Sequence, residues 1–159
     1  MLIAPVVGQG HSVGFVPDIH IQRLDTDLPL PVQAHAGDAG LDIYAAIDGV
    51  IAPNGGRLLV PTGIAISIPI GYAGFVLPRS GLALNHGISI VNAPGLIDSR
   101  YRGEIKVVLL NTDQNRPYHV CRGDRVAQLV IQRIEEVTWT EVSSLDSNDR
   151  GGGFGHSGR

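Results

Sequence analysis

A chain of 159 residues can build one domain around one core, and a hydrophobic share of 43% excludes a disordered chain. Aromatic residues are scarce at 5%, while 21 Gly and 10 Pro favour many short strands joined by tight turns over a helix bundle. A net charge of −3 and an isoelectric point near 6.0, with no basic patch or stripe, exclude a general nucleic-acid binder.

Residues 1–18 read as a loose N-terminal arm. The arm is apolar but lacks a positive flank, is broken by Pro and Gly, and is too short to span a bilayer. No signal peptide or membrane contact is expected, and the default location is cytoplasmic. A single β domain is expected over 19–143, with a flexible Gly-rich tail over 144–159. The first β-type runs are "IHIQRL" (19–24) and "LDIYAA" (41–46). Just before the second, "GDAGLDIY" (37–44) sets two acids among small residues, which suits a hydrated Mg2+ or, more plainly, two turn-forming carboxylates.

The stretch "RLLVPTGIAISIPIGYAGFVLP" (57–78) is rich in Ile, Val and Leu and is cut repeatedly by Pro and Gly, so strands and turns should alternate there. It ends in "PRSG" (78–81), where Arg79 and Ser80 could bind an oxyanion beside a Gly that permits close approach. An ordinary strand exit reads the same way. Only "SGLALNHG" (80–87) could hold a turn or two of helix. "GISIVNAPG" (87–95) continues the β pattern, and "GLIDSRY" (95–101) then sets Asp98 behind two apolar residues, as a general base or a turn cap.

"GEIKVVLLN" (103–111) and "RVAQLVIQRIEEVTWTEV" (125–142) complete a set of roughly ten short strands, an antiparallel sandwich or jelly roll. Turn formers separate them at 52–56, 92–95, 111–115 and 122–124. The last of these spells RGD, read as a polar hairpin turn. Cys121 is the sole cysteine, so no intramolecular disulfide can form, and it is read as a small apolar strand residue. Eleven Arg stand against one Lys, Lys106; Arg forks suit phosphate oxygens, and a GC-rich gene would give the same bias. No P-loop, HExxH, paired CxxC or GxSxG is present, and the six His share no metal-ligand spacing.

The tail "DRGGGFGHSGR" (149–159) carries an Arg and a Phe on a glycine rope, fit to fold over a ligand. A phosphate binder, a carboxylate base and an aromatic lid together describe a nucleotide site. In this order and spacing the stretches resemble the five motifs of the trimeric dUTP diphosphatases, or dUTPases. Motif one resembles "AGDAGLDIYAA" (36–46), motif two "PRSGLA" (78–83), motif three "SIVNAPGLIDSRYRGEIK" (89–106), motif four "RGDRVAQLVI" (122–131), and motif five the tail.

The resemblance implies a β jelly roll that hydrolyses dUTP to dUMP and diphosphate, limiting uracil in DNA and supplying dUMP for thymidylate synthesis. It implies Mg2+, held by Asp42 through water. It implies phosphate contacts from Arg79, Ser80, Gly81 and Gln128, with Gln128 also near the catalytic water. Asn92 would bond uracil, Leu96 and Ile97 would line its pocket, Asp98 would activate water, Tyr101 would pack under the deoxyribose, and Lys106 would border the substrate. In the tail, Arg150 would meet the γ-phosphate and Phe154 would stack on uracil, with Gly155 and Ser157 as further substrate contacts. A homotrimer would share each site: one subunit gives motifs one, two and four, a second gives motif three, and a third lends its tail. The chain departs from the family in reading RGGGFG rather than RGxGGFG, one residue shorter between Arg150 and Phe154.

Three rival readings stay open from the residues, the plainest a structural jelly roll, which would not require Arg150 and Phe154 on a glycine tail. The dCTP deaminases share the fold but carry Trp rather than Tyr after the Asp-containing turn, where this chain has Tyr101. A non-catalytic nucleotide binder would not need Asp98, Ser80 and Gln128 together.

Overall fold

The computed structural model describes residues 16–145. Among them are ten strands and one helix: β1 (His20–Arg23), β2 (Leu41–Tyr44), β3 (Gly49–Ile51), β4 (Arg57–Ser67), β5 (Tyr72–Leu77), α1 (Ser80–His86), β6 (Ile88–Ile90), β7 (Gly95–Ile97), β8 (Glu104–Asn111), β9 (Tyr118–Val120) and β10 (Arg125–Arg133). The strands form antiparallel sheets ordered β1-β4-β8-β6 and β2-β10-β5-β7, with β3 and β9 as a separate pair. This is the all-β jelly roll expected from the sequence. No helix of the described residues is long and apolar enough to cross a membrane.

Alternation along the strands builds the core. Ile105, Val107 and Leu109 of β8 point inward and are almost wholly buried, as are Ile43 of β2, Val76 of β5 and Leu129 of β10. The two large sheets therefore bury one face each against the other.

Strand β4 is interrupted by a bulge. Pro61 pairs with Lys106 and Ala65 with Glu104, so three residues of β4 face one of β8. Gly63 occupies the bulge at φ +69°, and a Cβ there would lie 2.6 Å from that of Asp25. Its N–H donates to Glu104 Oε1 at 3.0 Å, and its carbonyl accepts the Leu24 and Asp25 N–H groups.

Asn111 at the end of β8 ties three segments together from a fully buried position. Its Nδ2 donates to the carbonyls of Ile51 and Arg116 at 3.2 and 2.8 Å, and its Oδ1 accepts the Asp113 N–H at 3.0 Å. Asn111→Leu keeps the branched shape but not the hydrogen-bonding atoms, and strands those backbone groups. We expect it to cost about 2–4 kcal/mol, read as a lower urea midpoint with little change in m.

The sequence reading overshoots in places. The run 125–142 is strand only to Arg133; after the Ile134 N–H reaches Gly71 O, the chain leaves the sheet, and Val137, Trp139 and Val142 are exposed. Cys121 is not a strand residue. It is exposed and opens the turn after β9, where its N–H donates to Asp124 Oδ2 at 2.8 Å. The turn at 122–124 joins strands of different sheets rather than a hairpin; Gly123 has φ +92°, and Arg122 pairs with Asp25 at 2.9 Å. The 80–87 helix forms as expected, ended by Gly87 in the left-handed region at φ +65°. Of the expected arm 1–18 and tail 144–159, residues 1–15 and 146–159 lie outside the described residues.

Candidate functional site

The turn Ser99–Gly103 carries the chain from β7 to β8, and a cleft of about 250 Å3 opens beside it. Its floor is buried and apolar, made of Val76, Ile90, Ile105 and Val107. Six residues singled out in the sequence line it: Asn92, Leu96, Ile97, Asp98, Tyr101 and Lys106. Asp98 and Asn92 are exposed and reachable by a ligand. The preceding Ala93–Pro94 peptide is cis. Tyr101 donates its N–H to Asp98 O at 3.0 Å and its hydroxyl to Glu104 O at 2.9 Å, so the ring lies folded over its own turn. Lys106 Nζ sits 3.6 Å from Glu104 Oε2, an ion pair that draws the ammonium toward the β4 bulge described above.

A second set gathers on the other side of β5. Gln128 on β10 stands in register with Asp42 on β2 and Leu77 on β5, so the three form one row across the sheet. The Asp42 carboxylate is buried and held by two guanidinium groups: Arg79 Nε at 3.2 Å from Oδ1 and Arg125 Nη1 at 3.0 Å from Oδ2. Arg79 Nη1 also donates to Arg125 O at 2.9 Å, which locks the arginine between strands β2 and β10. Ser80 and Gly81 follow it as the exposed opening of α1. Gln128 Nε2 donates to Pro78 O at 3.1 Å, and its Oε1 lies over Gly40, where a Cβ would be only 2.3 Å away.

Alternation separates the two sets. Val76 faces the core and the cleft floor, and its successor Leu77 faces the opposite side with Gln128 and Asp42. The structure thus brings motif-three residues together, and separately brings together those of motifs one, two and four. Arg150, Phe154, Gly155 and Ser157 lie outside the described residues.

Among the described residues, no group of three His, Cys, Asp or Glu could hold a metal ion. Asp42 has both oxygens engaged by arginines, which suits bonding to the water shell of a cation brought by an anionic ligand rather than direct ligation. Asp38 is spent on its turn, accepting the His35 N–H at 2.9 Å. Sequence reasoning missed Arg125 and Gly40. Arg125 had no signal beyond its place three residues before Gln128; Gly40 lay inside a motif already quoted, as one small residue among several.

The dUTPase family model matches residues 26–158. The chain is 59% identical over 141 residues to the deoxyuridine 5'-triphosphate nucleotidohydrolase of Thermobifida fusca, covering 88% of this chain and 78% of that protein. Among solved structures it resembles the dUTPase of Staphylococcus bacteriophage 80alpha with dUPNHPP (TM-score 0.81, 27% identity, 89% of this chain and 99% of that one). It also resembles a mutant dUTPase from phage phi11 of S. aureus that coordinates a structural Mg(II) ion (TM-score 0.74, 26% identity, 82% and 99%).

Proposed function

The chain belongs to the dUTPase family and is a dUTP diphosphatase, and from that premise we propose how its residues divide the reaction. The uracil enters the cleft lined by Leu96 and Ile97 and hydrogen-bonds Asn92, while Tyr101 packs beneath the deoxyribose and Lys106 borders the nucleotide. Asp98 takes a proton from a water that attacks the α-phosphorus in line, giving dUMP and diphosphate. Arg79, Ser80, Gly81 and Gln128 hold the phosphates, with Gln128 also near the attacking water. Magnesium, when bound, neutralises charge on the phosphate oxygens. Asp42 orients it through water, its carboxylate kept in place by Arg79 and Arg125.

Asp98 belongs to the cleft set and Arg79 to the set with Asp42 and Gln128, an arrangement that fits one nucleotide bridging two copies. That supports a homotrimer with shared sites. Arg150, Phe154, Gly155 and Ser157 complete each site from the tail over 144–159, Arg150 on the γ-phosphate and Phe154 on the uracil face. The β domain over 19–143 carries the other motifs, with 1–18 as an arm. The substrate is a free nucleotide, which fits a cytoplasmic enzyme that binds neither nucleic acid nor membrane.

One observation carries the reading: a carboxylate, an amide, a tyrosine and a lysine, Asp98, Asn92, Tyr101 and Lys106, line one cleft with an apolar floor. The test is diphosphate release from dUTP with Mg2+, run beside dCTP, dTTP and UTP. Release from dUTP alone supports the assignment, whereas ammonia from dCTP or binding without release defeats it.

Gly40 offers a finer test. Gly40→Ala must push Gln128 Oε1 away, since the added carbon would sit 2.3 Å from it. The displaced atom is the end of a flexible side chain, so the fold should hold. We expect kcat to fall by roughly 10–10²-fold, as for a misplaced positioning group, with thermal unfolding nearly unchanged. A wild-type kcat would mean Gln128 does not act from this seat.

A further inference from the structure

The turn before β8 places Gly103 beneath the Tyr101 ring. A Cβ on Gly103 would lie 2.6 Å from the Tyr101 hydroxyl oxygen, 2.8 Å from Cζ and 3.2 Å from Cε2. Non-bonded carbons do not approach so closely, so the ring fills the volume that a side chain at 103 would take. Gly103 is not among the glycines with positive φ. Glycine is therefore required here for room and not for backbone conformation.

Hydrogen bonds within the same turn hold the ring and its backbone. The hydroxyl is held by Glu104 O at 2.9 Å, and the Tyr101 N–H by Asp98 O at 3.0 Å. The Arg102 guanidinium clasps the carbonyls of Ser99 and Tyr101, both at 2.7 Å. Gly103 lies under the ring.

We propose that Gly103 is a specificity-determining positioning residue: by ceding its side-chain volume it seats the Tyr101 ring, and that seat sets the discrimination against a 2′-hydroxyl. The inference rests on the placement of Tyr101 beneath the sugar under Proposed function. It makes the deoxyribose preference a property of two residues, only one of which touches the sugar.

Gly103→Ala lifts the ring from its seat. The moving atoms are the outer end of an exposed side chain, whose hydroxyl gives up one exposed hydrogen bond to Glu104 O, so the chain should still fold. The measurement is kcat/KM for dUTP and for UTP, taken as a ratio. We expect the ratio to fall by about tenfold or more, because a shifted ring no longer fills the space a 2′-hydroxyl would need. A general structural effect would slow both substrates alike, and an unchanged ratio overturns the proposal.

Tyr101→Ala supplies the control. In that background Gly103→Ala has no ring to move and should change the ratio no further. If Tyr101→Ala lowers the ratio and Gly103→Ala does not, the role of Gly103 falls while the sugar placement stands. If Tyr101→Ala leaves the ratio intact, the sugar placement falls and takes the proposal with it. Should Gly103→Ala lower Tm, adding Tyr101→Ala relieves the clash and restores it; failure to restore Tm overturns the proposal as well.

Discussion

Asp98→Asn is expected to lower kcat for dUTP by about 10²–10⁴-fold, the usual contribution of a positioned general base, while the Kd for a non-hydrolysable dUTP analogue stays within a few-fold of wild type. Asparagine keeps the shape and the hydrogen-bonding reach of the side chain but cannot take a proton from water. Asp98 is exposed at the cleft, and its backbone carbonyl, not its carboxylate, holds the Tyr101 N–H. The substitution therefore removes chemistry without touching the core or the ring seat. Single-turnover rates beside calorimetric binding separate the two effects. Parallel losses in rate and affinity would mean that Asp98 binds the nucleotide and something else takes the proton.

Arg79→Lys should cost nearly as much, by a different route. The Arg79 guanidinium already spends Nε on Asp42 Oδ1 at 3.2 Å and Nη1 on Arg125 O at 2.9 Å. Only a planar fork can make both bonds and still present Nη2 to a phosphate oxygen. Lysine keeps the charge but has a single nitrogen to serve three partners. Asp42 would then be left to Arg125 alone in a buried position, and the phosphate would lose its directed donor. The expected fall in kcat/KM is about 10²–10³-fold, in line with removal of one preorganised donor to a developing charge. A lysine variant with near wild-type kcat/KM would show that charge alone suffices at this position.

The legible part of the fold was its punctuation. Pro and Gly cut the Ile- and Val-rich run at 57–78, and the structure breaks β4 from β5 at Pro69–Gly71, with Gly71 at φ +86°. The short helix at 80–86 announced itself through the one stretch where strand formers thin out, closed by Gly87. Strands β3, β7 and β9 were not separable in advance, because three residues are too few to establish a period of two. The bulge at Gly63 was hidden for another reason: its cause is Glu104, forty-one residues away, which offers the carboxylate that Gly63 N–H needs.

The site divides in the same way. Asn92, Leu96, Ile97, Asp98, Tyr101 and Lys106 fall within one continuous motif, and the cleft they line follows from a single turn and its flanking strands. The floor residues Val76, Ile90, Ile105 and Val107 looked like any other core positions, and only packing shows that they underlie a ligand-sized space. Arg125 is similar. Its ion pair with Asp42 spans eighty-three residues, and nothing local to either announces the other.

Strand β5 is a party wall. Val76 furnishes one tenant and Leu77, with the Gln128 it pairs, furnishes another. Six residues laddered to β10 on one side, three of them also to β7 on the other, leave little slack between the two sides. A substitution that reshapes the apolar side must lean on the polar side, so on the proposed shared-site assembly it would be tried by selection against two nucleotides at once. Drift in this strand is thereby confined to changes that both neighbours tolerate, and the partition should alter more slowly than either room.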